Sequence, residues 1–140
     1  VAGASAEDAD NLYQFGINVG LGFQLKDDLL DVYGDSSSFG KRIGGDILCN
    51  KKTYLLINAL ADNTTRDELI GWMNKTDFDE SEKIAAVTAI YNKLKLKQKS
   101  EQLITDYYKQ ALSCLDKVAV DSEKKKELYD LAENLMTRIS

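Results

Sequence analysis

The sequence predicts an all-α fold, and three observations carry that prediction. The 140 residues include no proline, so nothing breaks the internal ladder of helical hydrogen bonds. Apolar residues recur at three and four along most of the chain. No stretch sustains the alternation of a strand, and neither a repeat nor a linker divides the sequence. Residues 1–140 therefore read as a single helical domain, long enough to bury a core of its own.

The elements follow in order. Leu12, Phe15, Val19 and Phe23 fall at helical spacing, so Glu7 to Tyr33 reads as one long helix with Gly34 as its C-terminal cap. Gly16 and Gly20 sit one turn apart inside it. Each weakens the helix by roughly 1 kcal/mol relative to alanine, which is tolerable where another helix must come close. Ser36 to Gly45 is a polar loop containing Lys41 and Arg42. Asp46 can then cap a second helix that runs through Leu48, Tyr54, Leu55, Ile57 and Leu60 to about Ala61. Thr65 and Glu68 have capping-box spacing ahead of a short helix through Leu69, Ile70 and Trp72. Lys75 to Asp79 breaks that helix. Another runs from Glu80 to Leu94, with Ile84, Val87, Ile90, Tyr91 and Leu94 on one stripe. Leu103, Ile104, Tyr107, Tyr108, Ala111, Leu112 and Leu115 mark the next. Asp121 or Ser122 caps the last, which carries Leu128, Leu131, Leu135 and Ile139.

Composition narrows the chemistry. The net charge is -5, which argues against a nucleic-acid partner, since such proteins carry a basic footprint. The absence of histidine removes Ser-His and Cys-His catalysis and most zinc sites. Cys49 and Cys114 stand far apart without metal-ligand spacing and read as two free thiols in a reducing compartment. The longest apolar stretch, Tyr54 to Ala61, is too short to span a bilayer, and no signal peptide is visible. These features predict a soluble, cytoplasmic protein.

Carboxylates and cations remain to do the chemistry, and they cluster. In Gln24-Leu25-Lys26-Asp27-Asp28-Leu29-Leu30-Asp31 the first and third acids are four apart, so they share a helix face with Asp28 beside them. Gln24 lies one turn before Asp28. Three carboxylates this close repel one another unless a cation sits among them. The apolar flanks (Phe23, Leu25, Leu29, Leu30, Val32 and Tyr33) bury most of the helix, which turns the acids toward an interior cavity. Hard oxygen donors without nitrogen or sulfur suit Mg²⁺ bridged to phosphate. The alternatives are a solvated acidic face, or acids satisfied by lysines. The segment Phe39-Gly40-Lys41-Arg42-Ile43-Gly44-Gly45-Asp46 follows, with Lys51 and Lys52 soon after. It supplies the positive charge that an Mg²⁺-diphosphate needs from its other side. It is not a Walker loop, because the required spacing is missing.

Taken together, Phe23 to Asp31, Gly34-Asp35, Gly40-Lys41, Gly44-Gly45-Asp46 and Asn50-Lys51-Lys52-Thr53-Tyr54 resemble the trans-isoprenyl diphosphate synthases of the polyprenyl synthetase family, at the second of that family's two aspartate-rich motifs. Ala111-Leu112 with Leu115, and a final helix ending near Arg138, are similar too, although less diagnostic. The resemblance implies the C-terminal part of the isoprenoid synthase helical bundle. It implies a prenyltransferase of isoprenoid biosynthesis, which ionises an allylic prenyl diphosphate so that the alkene of isopentenyl diphosphate attacks the carbocation. It implies Asp27, Asp28 and Asp31 as catalytic Mg²⁺ ligands, with Asp28 acting partly through water. Lys41 and Lys51 would grip the diphosphate, Lys41 in a catalytic role. Gln24 would be a polar contact near the allylic substrate, and Asp46 a supporting acid. The stripe Leu12, Phe15, Val19 and Phe23 would either line the prenyl-chain cavity or serve as ordinary helix packing.

The family's first aspartate-rich motif and its isopentenyl diphosphate site are not found in these 140 residues. The chain therefore reads as a C-terminal portion of the enzyme, inactive alone, with apolar surface left exposed on its first helices. The full-length enzyme would be a homodimer. The competing readings are a non-catalytic helical partner or regulatory subunit of a prenyl synthase, and a helical interaction module with an incidental acidic face.

Overall fold

The computed structural model describes residues 6–34, 43–119 and 121–137, leaving aside the side chains of Met136 and Thr137. Seven helices occupy them: α1 (Ala6–Tyr33), α2 (Gly45–Leu48), α3 (Tyr54–Ala61), α4 (Arg66–Asn74), α5 (Glu80–Lys93), α6 (Leu96–Asp116) and α7 (Ser122–Thr137). Among the described residues there is no strand, as an all-α fold requires. None of these helices is long and apolar enough to cross a membrane. The expected tail positions Arg138 and Ile139 lie outside the described residues. The chain divides into two compact units.

Of the described residues, the first unit combines 6–26 with 102–137. Its core joins Phe15 and Val19 of α1 to Ala111 and Leu115 of α6 and Ala132 of α7. Leu12, Tyr108, Leu128 and Leu135 pack around that cluster. Phe15 and Val19 are therefore packing residues here, the second of the two readings of their stripe. Asp121 caps α7, its Oδ1 accepting from the Glu123 amide at 2.8 Å. The Ala119 amide donates to Asp8 Oδ1 at 3.2 Å, which ties the start of α1 to the end of the α6 turn. Gly16 and Gly20 depart from expectation. A Cβ at either would meet nothing within 4 Å, so no described helix approaches them. On the same side Tyr13, Ile17 and Leu21 are exposed, Tyr13 to 65%.

The second unit holds Asp27 to Glu101. Here α5 is the central helix. It packs against α2, α3 and α4, and α3 also packs on α4. Leu29, Ile47, Leu55, Leu56, Ala59, Leu69, Val87, Ile90, Tyr91 and Leu96 form its buried apolar set. The stripe on α5 thus does what its spacing predicts. α1 ends as expected, with the Gly34 amide donating to the Leu30 carbonyl at 2.7 Å.

Two expectations are corrected. The helix predicted from Asp46 to about Ala61 is two helices, and Asp46 lies inside the first, not at its cap. Asn50 adopts φ 56° and turns the backbone out of the helix. Thr53 then starts α3 afresh, its Oγ1 accepting from the Leu56 amide at 3.2 Å. The capping box at Thr65 and Glu68 does not form. Thr65 is buried, and its hydroxyl donates instead to the Ala59 carbonyl at 3.0 Å.

Candidate functional site

The acidic triad lies in the last two turns of α1, where the sequence places it. Asp28 and Asp31 are buried, at 8% and 6% exposure, and Asp27 is half-buried. Burying carboxylates is costly unless each is paired or hydrogen-bonded, and both buried acids have partners. Asp28 Oδ1 lies 3.2 Å from Lys51 Nζ. Asp31 Oδ2 accepts from the Asp46 amide at 2.9 Å, and its backbone carbonyl accepts from the Gly44 amide at 2.7 Å. Asp31 therefore joins α1 to the first turn of α2.

Among the described residues, Lys51 is the cation of this cluster. Its ammonium reaches Asp28 at 3.2 Å and Asp46 Oδ2 at 3.8 Å, while the side chain stays 46% exposed. The hydrogen bond to Asp28 and the charges of Asp28 and Asp46 raise its pKa above the ordinary lysine value, so it is charged at neutral pH. An exposed ammonium held between acids can turn to an incoming anion without crossing the core. For Asp28, lysine satisfaction is thus real in this structure, alongside the burial expected of an interior site.

The turn that carries Lys51 is built from behind. Gly44 has φ 92°, and a Cβ there would lie 2.6 Å from Ile84 Cδ1 on α5. Only glycine meets both demands at that position. At the other end of α2, Asn50 accepts from Lys83 Nζ at 2.8 Å and donates through Nδ2 to the Met73 carbonyl at 3.1 Å. A cavity beside Asp46, Asn50, Lys51 and Tyr91 measures about 10 Å³. That is room for about one water, so it is no pocket for a prenyl chain. Burial, with Tyr33 and Asp46 nearby, pushes the Tyr91 hydroxyl pKa upward and keeps it a neutral phenol.

Of the residues singled out from sequence, Asp27, Asp28, Asp31 and Lys51 belong to one compact unit, and Asp46 joins them. Gln24 is exposed on α1, one turn ahead of Asp28. Lys41 lies outside the described residues. Lys83 was not singled out, although a signal existed: it stands on the apolar stripe of α5, four residues before Val87. A lysine on a buried stripe must either reach out or find partners inside.

The fit to a cation can be judged from the donor set. Among the described residues no group of three acidic or thiol side chains converges as a ready-made metal site. Hard oxygen donors on one helix end nevertheless match an ion that takes one or two carboxylates and completes its shell with water and phosphate. The fit is therefore to a metal that arrives with its anion.

The polyprenyl synthetase family model matches residues 1–94, which include the whole acidic and basic cluster. The chain belongs to the polyprenyl synthetase family. A geranylfarnesyl diphosphate synthase of Aeropyrum pernix is 32% identical over 99% of this chain and 43% of its own length. Heptaprenyl diphosphate synthase component 2 of Geobacillus stearothermophilus is 33% identical over 94% of this chain and 40% of its own. A crystal structure of a geranylgeranyl pyrophosphate synthase superposes with a TM-score of 0.83 at 35% identity, over 97% of this chain and 43% of that one. This chain thus spans about two fifths of the length of these relatives.

Proposed function

We propose that this chain supplies one diphosphate-binding face of a trans-prenyl diphosphate synthase, which condenses an allylic prenyl diphosphate with isopentenyl diphosphate. The observation that carries the reading is the juxtaposition of Asp28, Asp46 and the exposed ammonium of Lys51 at the end of α1. Asp27, Asp28 and Asp31 would hold Mg²⁺, Asp28 partly through water, with the diphosphate completing the ion's shell, and Lys51 would turn from Asp28 to grip a phosphate oxygen. Mg²⁺, when bound, neutralises charge that develops on the departing diphosphate. Lys41 and Gln24 complete the substrate contacts.

The chain carries one aspartate-rich face and needs the remainder of an enzyme to turn over. We expect Mg²⁺-dependent binding of inorganic diphosphate by calorimetry, and no prenyl transfer from geranyl diphosphate by the 140-residue chain alone. Lys51→Met removes a charge-assisted hydrogen bond worth about 1.5–3 kcal/mol, so diphosphate affinity falls roughly 10- to 100-fold. Asp27→Ala abolishes the Mg²⁺ dependence. Diphosphate binding by the parent chain that ignores Mg²⁺, or binding that keeps its affinity in Lys51→Met and its Mg²⁺ dependence in Asp27→Ala, overturns the reading. A relative named as one component of a heptaprenyl diphosphate synthase favours a second reading, a subunit that works with another chain. Prenyl transfer that appears only when a separate synthase chain is added supports it.

A further inference from the structure

Lys83 is the most deeply buried charged side chain among the described residues, at 1% exposure. Its ammonium has no carboxylate partner there. It donates to Asn50 Oδ1 at 2.8 Å and to the Leu48 carbonyl at 3.4 Å, and it lies 4.6 Å from the centre of the Phe78 ring. A buried ammonium with only neutral partners costs stability compared with an apolar side chain of the same length. Both of its hydrogen-bond acceptors belong to one feature, the end of α2 and the turn that leads to α3.

That turn needs an external brace. The Leu48 carbonyl ends α2, and a helix of four residues has little stability of its own. Asn50 holds a left-handed conformation at φ 56°. Its side chain is clamped between Lys83 and the Met73 carbonyl, so α5 and the end of α4 together fix its orientation. The next residue is Lys51. Its amide donates to the Asp46 carbonyl at 2.9 Å, and its ammonium meets Asp28 and Asp46. One helical position along α5, Ile84 covers Gly44 at the other end of α2. Adjacent residues of α5 thus hold both ends of the short helix that seats on Asp31.

We infer that Lys83 is a positioning residue for the diphosphate grip: through Asn50 and the Leu48 carbonyl it fixes the turn that sets Lys51 between Asp28 and Asp46. Lys83 touches no substrate. It acts through Lys51, so this role rests on the reading of Lys51 as a diphosphate contact. Its burial lowers its pKa below the ordinary lysine value. Even a neutral amine keeps the N–H groups that Asn50 and Leu48 require.

The test uses the whole chain, Mg²⁺ and inorganic diphosphate in calorimetry, with urea unfolding and amide exchange in parallel. Lys83→Met keeps the length of the buried stem and removes the donors. Asn50→Gly keeps the left-handed backbone and removes the acceptor, and serves if Lys83→Met does not fold. Each is expected to weaken diphosphate binding roughly tenfold, the loss of about one hydrogen bond's worth of placement. In the background of Lys51→Met either change should add nothing, because both act through Lys51. A merely structural role moves urea stability but does not produce that coupling. Unchanged affinity in Lys83→Met, or losses that multiply with Lys51→Met, overturns the inference. If the parent chain fails to bind diphosphate, the functional reading fails first, and amide exchange then decides the positioning role. The Asn50 and Lys51 amides should exchange faster in the variant while those of Leu55 and Leu56 do not change. Unaltered exchange at Asn50 and Lys51 overturns it.

Discussion

Gly44 is the residue on which the seating of α2 is most exposed to test. It combines φ 92° with an Ile84 side chain that leaves no room for a Cβ. Gly44→Ala is expected to lower stability by about 1–3 kcal/mol in urea unfolding, from backbone strain and overpacking together. Ile84→Ala in the same chain should recover the steric share and leave the strain. Equal losses with and without Ile84 would mean that the contact plays no part. The two lysines of the turn make an opposite pair. Burial lowers the pKa of Lys83, whereas Asp28 raises that of Lys51. In an alkaline titration followed at the lysine Nζ resonances, Lys83 is expected to lose its proton below the ordinary lysine value and Lys51 above it. The signs for stability differ accordingly. Lys51's contribution is complete below the unfolded pKa and is lost as pH rises through its raised folded value. The penalty of Lys83 is complete below its lowered folded pKa and is relieved as pH rises from there to the ordinary value. Lys83→Met should therefore remove an alkaline rise in stability from that window.

At the scale of elements, Thr53 is a cap that replaces a predicted continuous helix. Thr53→Ala should cost about 1 kcal/mol, the usual value of an N-cap side chain, read as a shift of the urea midpoint. A helix that ran unbroken from Asp46 would lose nothing there. The contrast marks what was legible in the sequence. α1, α5 and α6 could be read because their apolar spacing and their packing agree. The acidic run at the end of α1 and the lysine after it stand out in the sequence by charge and spacing, and the structure adds that Lys51 meets Asp28 and Asp46. The break at Asn50 could not be read locally, since it is braced by Lys83, 33 residues away. Thr65 departs from its spacing for the same kind of reason. Its spacing to Glu68 suits a capping box, but the packing of α3 on α4 buries the hydroxyl, and the Ala59 carbonyl takes it. Gly16 and Gly20 suggested a close helix neighbour, and in the described structure both face open space.

At the scale of the whole molecule, that open face has a consequence. Along α1 the inward residues Phe15 and Val19 are buried at 5% each, while Tyr13, Ile17 and Leu21 repeat every four residues on a side left 36–65% exposed. The two glycines interleave with them and add no side chain to shield the strip. An apolar strip of this kind in water lowers its free energy by covering itself, and the material at hand is a second copy of the same chain. The chain is therefore expected to self-associate, with a light-scattering mass that rises above that of one chain as concentration increases. Ile17→Glu with Leu21→Lys places opposite charges on the strip without entering the core around Phe15. The double variant should scatter as a single chain and keep the helical content and urea midpoint of the parent. A parent chain that scatters as one copy across the accessible concentration range would mean that the strip is too small to drive association. A double variant that stays associated would locate the contact elsewhere on the molecule.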